Sequence, residues 1–246
     1  MADVFDRVQA MPVIAGLWPR EPGVGSDFAS EATHAPISAY TVVRILLLDA
    51  VHRLQAAARI AQNPDLASQG THILLLRPAL VSTAKGAWLA GTADSAERTS
   101  RAARLAAEDR RQGAIAMRKA VEQGAPDVFG AVGSAFERAR AAVMSAVHGL
   151  TPDAHIPPPR DESMIVDLGS EIDRYYGTNN ATSDVQLLWN ASSSLAHGER
   201  WYSTLTAGPR RAVAEILTTR SFDVVCSGLN VTGLRILTLA AARNPS

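Results

Sequence analysis

The chain has 246 residues, of which 47% are hydrophobic, so it can bury a sizeable core and wholesale disorder is excluded. Lysine plus arginine number 24, as do aspartate plus glutamate, which argues against nucleic-acid binding through overall charge. The single cysteine, Cys226, excludes an intramolecular disulfide and any multi-cysteine zinc site. Its apolar neighbours predict a small buried hydrophobe.

Residues 1–35 are predicted to form an irregular arm, with one short helix at about 3–10, because prolines and glycines recur there. The N-terminus has no basic segment before an apolar run, so it does not read as a signal peptide. No stretch of about 18 residues is free of charged and polar breaks, so we predict no spanning helix and no membrane partner. We therefore expect a cytoplasmic protein.

Hydrophobic periodicity predicts the first two long helices. After Pro36, apolar residues recur at intervals of three and four, which predicts a long helix that stops at Asn63 and Pro64. A second helix is predicted at about 72–90, and Pro78 inside it either begins the helix or kinks it.

Capping residues place the next two helices. Asp94 and Ser95 are expected to cap a third helix that runs to about residue 123. Pro126 opens a fourth helix at its first turn, and this helix is expected to stop at Gly149. Four more helices are predicted, at about 161–176, 182–197, 209–219 and 222–243.

The stretch 151–163 contains four prolines and is the plainest break in the chain. It could be a domain linker, but the residues that follow it would make only a thin core by themselves. We therefore predict a single helical domain over 36–246, with a proline-rich connection at 151–160. No window alternates at period two, so the predicted fold class is all-α, a helical bundle of about seven or eight helices.

Two segments share a pattern with other proteins. In 77–104, Arg77 and Leu80 are followed by an alanine-tryptophan-leucine sequence and then by an arginine-rich stretch. In 185–202, an aromatic residue, a serine and a histidine lie four apart and a glycine follows: Trp189, Ser193, His197 and Gly198. This pattern resembles uncharacterised all-helical proteins of high-GC bacteria. Those proteins are more distantly similar to HEPN-type four-helix proteins.

The resemblance implies an HEPN-like core, and the HEPN group includes nucleases and prokaryotic defence toxins. The chain departs from the pattern at Val81, where the similar proteins have glutamate, and at Trp189, where they have tyrosine. HEPN nucleases have an arginine separated from a histidine by four to six residues, and before His197 these positions carry no positive charge: Asn190, Ala191 and Ser192. Two other arginine–histidine pairs have seven residues between them: Arg44/His52 and Arg140/His148.

The stripe that ends at His197 is the first candidate site. On a helix, Trp189, Ser193 and His197 share one face, with Asn190 and Ser194 beside them. His197 could act as a general acid or base near neutral pH, oriented by Ser193 or Asn190. Alternatively, the histidine and the glycine after it only end the helix, where an imidazolium suits the helix dipole.

Arginines and Tyr176 are further candidates. Arg77 lies in apolar surroundings, where it must find a carboxylate or an anion. Tyr176, at the end of an amphipathic helix, could line a pocket, although core packing is the default interpretation. Three arginines could form an anion-binding ridge, although nearby acids favour a solvated face with salt bridges: Arg98, Arg101 and Arg104. The carboxylates show no metal-binding repeat, so no metal and no cofactor are predicted.

Three hypotheses of function remain. The first is a non-catalytic binding or regulatory module, which we expect to be a homodimer that uses a protein or an RNA as partner. The second is a metal-independent ribonuclease of a defence or toxin system, in which His197 acts with an arginine supplied from another helix, Arg77, or across a dimer. The third is a partner subunit whose helices at 36–62 and 222–243 pack on another protein. The residues assigned to binding are Trp189, Asn190, Ser193, Ser194 and Tyr176.

Overall fold

The computed structural model describes residues 2–32, 37–67, 70–147, 156–198 and 211–241. Within these ranges all regular secondary structure is helical, which confirms the predicted all-α class. The ten helices of the described ranges are α1 (Ala2–Gly16), α2 (Asp27–Ala32), α3 (Ala39–Ala61), α4 (Pro64–Ala67), α5 (Thr71–Ala90), α6 (Ser95–Glu122), α7 (Val128–Val147), α8 (Asp161–Tyr176), α9 (Ala181–Ala196) and α10 (Arg211–Ala240).

The predicted helix starts agree well with the structure where a capping signal exists. The Asp94 side chain accepts a hydrogen bond from the Ala96 amide at 3.0 Å and begins α6. α8 has the predicted bounds, and α5 continues through Pro78 as one helix. Gly149, the predicted end of α7, lies outside the described residues.

Two predictions about helix extent were wrong. The segment predicted as an irregular arm contains α1 and α2, and α1 continues through Pro12 to Gly16. The helices predicted at 209–219 and 222–243 are one helix, α10. Packing explains the first difference, because α1 buries a stripe of apolar side chains spaced four, three and four apart: Val4, Val8, Met11 and Ala15.

The chain groups into two compact units. Unit 1 contains residues 1–20, 44–91 and 160–238, and unit 2 contains residues 21–43, 92–159 and 239–246. The chain passes from unit 2 to unit 1 at Pro159, at the end of the predicted proline-rich connection, and residues 156–160 are not helical. The single domain predicted over 36–246 stays a prediction.

Unit 1 packs α5, α8 and α9 against one another. Gly169 allows the closest approach of α8 and α9, because a Cβ atom there would lie only 2.7 Å from the Cα atom of Thr182. Gly228 brings α10 against Thr83 of α5 and Leu168 of α8 in the same way. Small residues therefore set the spacing of the helices in this unit.

Two helices of the described residues, α5 and α10, are long and apolar enough to cross a membrane by length and composition. In each of them, 61% of the most apolar window is buried inside the fold. Such burial fits core helices of a soluble protein.

His72 is a buried histidine in the core of unit 1. Its Nε2 atom lies 3.0 Å from the Thr218 hydroxyl, and its ring stacks parallel to that of Phe222. Burial lowers the pKa of His72 from its usual value of 6.5 to about 4. The imidazole is therefore neutral in the folded protein at neutral pH.

This burial predicts a loss of stability in mild acid. Above pH 6.5 both states hold neutral His72, whereas between pH 6.5 and about 4 only the unfolded state binds the proton. In this window, each unit by which the pH is lowered should reduce the free energy of unfolding by about 1.4 kcal/mol because of His72 alone. Other titrating groups add their own contributions to this change. Urea titrations of the native protein and of His72→Gln measure the difference. The exposed His52 offers the control His52→Gln, and an equal pH dependence in all three proteins would contradict the assignment.

Unit 2 consists mainly of α6 packed on α7, with α2 against α6. Gly133 of α7 permits the close approach, because a Cβ atom there would lie 3.2 Å from the Cβ atom of Met117. A small apolar cluster fills the interface of the two long helices: Ala103, Ala107 and Val143. Gly133 therefore has a packing role.

Arg98 of unit 2 is buried, which the sequence did not predict. Its side chain and that of Glu31 are 1% and 2% exposed, and its Nε atom donates to the Glu31 carboxylate at 2.7 Å. It also donates to the Thr92 carbonyl at 2.6 Å. Burial raises the pKa of Glu31, while Arg98 acts in the opposite direction. The prediction of a solvated ridge is thus wrong for Arg98. The next arginine, Arg101, does pair with an acid of its own helix, Glu97, at 2.7 Å.

Breaking this pair should destabilise the protein strongly. Arg98→Met leaves the Glu31 carboxylate buried without its partner, which should lower the free energy of unfolding by about 3–5 kcal/mol. The double variant Glu31→Gln/Arg98→Met should recover most of that loss in urea unfolding. Arg101→Met, which breaks a more exposed pair, should cost less than about 1 kcal/mol. Equal effects of the two single arginine variants would contradict the buried-pair account.

Candidate functional site

The predicted stripe lies on α9, at the C-terminal end of that helix. The His197 amide donates to the Ser193 carbonyl at 3.1 Å, and Gly198 has a φ of +78°, in the left-handed region. This is the geometry of a helix terminus closed by glycine. His197 is exposed, and the buried Ser192 donates its hydroxyl to the Trp189 carbonyl within the same helix. The local geometry therefore accounts for the histidine and glycine as a helix end.

The remaining residues of the stripe differ in exposure. Ser193 and Ser194 are half-buried, while Asn190 is exposed. Residues 199–210, which follow the stripe, lie outside the described part of the chain, as does His148.

Arg77 contacts the stripe at its N-terminal part. Its guanidinium carbon lies 4.1 Å from the centre of the Trp189 ring, a cation–π distance. Among the described residues, no acidic side chain forms an ion pair with Arg77, so its observed partner is an aromatic ring rather than the expected carboxylate. Trp189 and His197 are eight residues apart, which is about 12 Å along the helix axis. The structure therefore joins Arg77 to Trp189, two turns before the histidine.

A polar pocket of about 610 Å³ opens on another side of unit 1. It is formed by α1, by the end of α8 and the turn after it, by the start of α9 and by the middle of α10. Its polar lining includes charged, amide, hydroxyl and phenol groups: Arg7, Tyr176, Asp184, Asp223, Ser227 and Asn230. Tyr176, for which the sequence left pocket lining and core packing open, lies in the lining of this one.

Two ion pairs connect the helices around this pocket. Arg7 of α1 pairs with Asp223 of α10, and its second terminal nitrogen donates to the Ser227 hydroxyl at 3.3 Å. Arg220 of α10 donates to Asp184 of α9 at 3.1 Å. Burial raises the pKa of Asp184 and Arg220 lowers it, with the net shift upward. The pocket therefore contains charges that the fold has partly removed from water.

Asp173 fixes the start of α9 and with it one wall of the pocket. Its carboxylate accepts hydrogen bonds from the amides of Ala181 and Thr182, at 2.9 and 3.1 Å, and from two threonine hydroxyls. Burial by itself raises the pKa of Asp173, but these hydrogen bonds lower it overall. Because the carboxylate satisfies amides that have no partner within the helix, it determines where Asp184 is placed.

Sequence reasoning missed the contribution of α10 to this pocket. Asp223, Ser227 and Asn230 are spaced four and three apart, so they form one polar stripe along an otherwise apolar helix. None of these three residues was predicted from the sequence as a site residue. The spacing was the available signal, because a polar stripe on a core helix must face water or polar partners.

Other chemical groups do not assemble into a site within the described residues. No group of three or more histidine, cysteine, aspartate or glutamate side chains is placed there to hold a metal ion. Cys226 is fully buried, and burial raises its pKa to about 12, so its thiol is protonated and inaccessible. Its predicted role as a small buried hydrophobe is confirmed.

Comparisons with known proteins give no family for the chain. No protein-family model, no curated protein and no solved structure matches it. The geometry of unit 1 is therefore the basis on which a function can be inferred.

The contact between Arg77 and Trp189 can be tested by a double-mutant cycle. Arg77→Met and Trp189→Leu should show a coupling of about 0.5–2 kcal/mol in the free energy of unfolding, because each variant alone removes the same cation–π contact. Arg211 pairs with Glu215 and serves as the control, so Arg211→Met and Trp189→Leu should be additive. Additivity in both cycles would show that the stack contributes nothing.

Proposed function

We propose that the chain is an HEPN-like, non-catalytic binding module. The observation that carries this proposal is the polar pocket of unit 1, where four helices place charged and amide side chains around an open volume of about 610 Å³. Concave sites with a few converging polar groups are the usual form of small-ligand sites.

The geometry favours binding over the ribonuclease alternative. Cleavage of RNA without metal needs a general base and a cation at the same phosphate. Arg77, the cation assigned to this role, stacks on Trp189 about two turns before His197, and His197 itself closes a helix end. Neither residue has the coupled hydrogen bonding expected of an acid–base pair among the described residues.

The HEPN likeness is part of the proposal and has one supporting observation. Parts of both resembling segments lie in α5 and α9, and these helices pack on each other in unit 1 with Arg77 against Trp189.

The third hypothesis, a partner subunit of another protein, has less support. The helices assigned to an external partner bury their apolar side chains in the fold, for example Leu47 and Leu54 of α3 and Phe222 and Leu229 of α10.

The proposal places the module in the cytoplasm as a homodimer. Exposed apolar side chains on one turn of α10, Val213 and Ile216, support a further protein contact. A protein or an RNA stays the candidate macromolecular partner, because the balanced charge of the chain favours neither.

An RNA-cleavage assay in EDTA at neutral pH separates the two functions. We expect no cleavage by the native protein, by His197→Ala or by Arg77→Gln, while a known metal-independent ribonuclease serves as the positive control. Cleavage by the native protein that His197→Ala abolishes would overturn the proposal.

Sedimentation of the native protein tests the homodimer. The measured mass should be twice the chain mass of 26.1 kDa, and a monomer would contradict the proposed homodimer.

A further inference from the structure

The two carboxylates in the lining of the pocket keep unused hydrogen-bonding capacity. The Asp184 side chain is only 10% exposed, and its Oδ1 atom accepts from Arg220. Asp223 is half-exposed, and its Oδ1 atom accepts from Arg7. Among the described residues no donor reaches the Oδ2 atom of either carboxylate. Each ionised carboxylate can accept several hydrogen bonds, so both can receive one more donor from a ligand.

The charges around the pocket leave an excess of negative charge. Asp184 and Asp223 line the volume together with one cation, Arg7. Asp173 and Arg220 lie within the electrostatic reach of Asp184 and are counted with these three groups. Three carboxylates against two guanidinium groups give a net charge of −1. A bound monocation would neutralise this excess, whereas an anion would add to the repulsion.

Apolar surface lies beside the carboxylates in the same pocket. Ile172, Ala181 and Val224 contribute aliphatic side chains to its lining, and Tyr176 adds an aromatic ring. Aliphatic walls favour a short alkyl chain, because its burial removes apolar surface from water. A tyrosine ring can also attract an ammonium group through its π face.

We propose that this pocket binds a small organic cation, a primary alkylammonium whose charged end lies between Asp184 and Asp223 and whose chain lies on the aliphatic wall. The inference rests on the proposed binding function and names its ligand class. Arg7 already places a cation of this chain against Asp223, and that internal cation limits the affinity for an external one.

The test is a titration with n-butylammonium, followed by protein NMR, with butyrate and 1-butanol as anionic and neutral probes of the same length. Because the probe is small, we expect a Kd in about the millimolar range, with the shifts centred on the pocket. Butyrate and 1-butanol should bind at least about tenfold more weakly. Added salt should weaken the ammonium binding, since the charges are partly exposed.

Charge-neutral variants locate the cation. Asp184→Asn and Asp223→Asn should each raise the Kd for n-butylammonium at least about tenfold, which is the loss of one charge-assisted hydrogen bond. Asp161 of the same unit is a paired carboxylate outside the pocket, so Asp161→Asn should leave the Kd within about twofold. Equal effects of all three variants would overturn the assignment.

A variant that should strengthen binding distinguishes a specific effect on the ligand from general loss of folding. Arg7→Gln removes the internal cation and should lower the Kd several-fold, a gain that general destabilisation does not produce. If butyrate or 1-butanol binds in the pocket and n-butylammonium does not, the ligand class is wrong and the binding function stands. If none of the three probes shifts pocket signals at about tenfold above the expected Kd, both the ligand class and the assignment of this pocket as the binding site are overturned.

Discussion

Charges that the fold removes from water must be paired, and this requirement organises both units of the protein. In unit 2, Arg98 is enclosed together with Glu31, and neither group could stay there alone without a cost of several kcal/mol. In unit 1, two more exposed pairs join helices: Arg7 with Asp223 joins α1 to α10, and Arg220 with Asp184 joins α9 to α10. The apolar contacts supply most of the stabilisation, whereas the pairs restrict which helix faces can meet.

The pocket of unit 1 is a consequence of the same pairing. Asp173 fixes the first turn of α9, and Asp184 is thereby held against α10 at its pair with Arg220. Asp223 accepts from Arg7 through its Oδ1 atom, and Asp184 accepts from Arg220 in the same way. The second oxygen of each carboxylate is left as an acceptor at the edge of the pocket. A preorganised set of acceptors favours binding of a cation, because the carboxylates need not be ordered when the ligand arrives.

At the stripe on α9, the sequence pattern suggested a reaction centre, but the geometry of the described residues does not support one. Trp189, Ser193 and His197 do share a helix with the expected spacing. However, Trp189 is engaged by Arg77, while the histidine closes the helix together with Gly198. A stripe of aromatic, hydroxyl and imidazole groups therefore has an ordinary structural explanation in the described part of the chain.

The sequence by itself determined the all-α class, the cap of α6 at Asp94 and the bounds of α8, because capping and periodicity act within one helix. It did not determine that α1 continues through Pro12, since the burial of the apolar stripe of α1 in the fold decides that. Tertiary structure also decided that Arg98 is buried and that Arg7, Asp184 and Asp223 meet around one pocket. These residues come from segments far apart in the chain, so no local pattern contains their distance, and only the packing of the helices sets it.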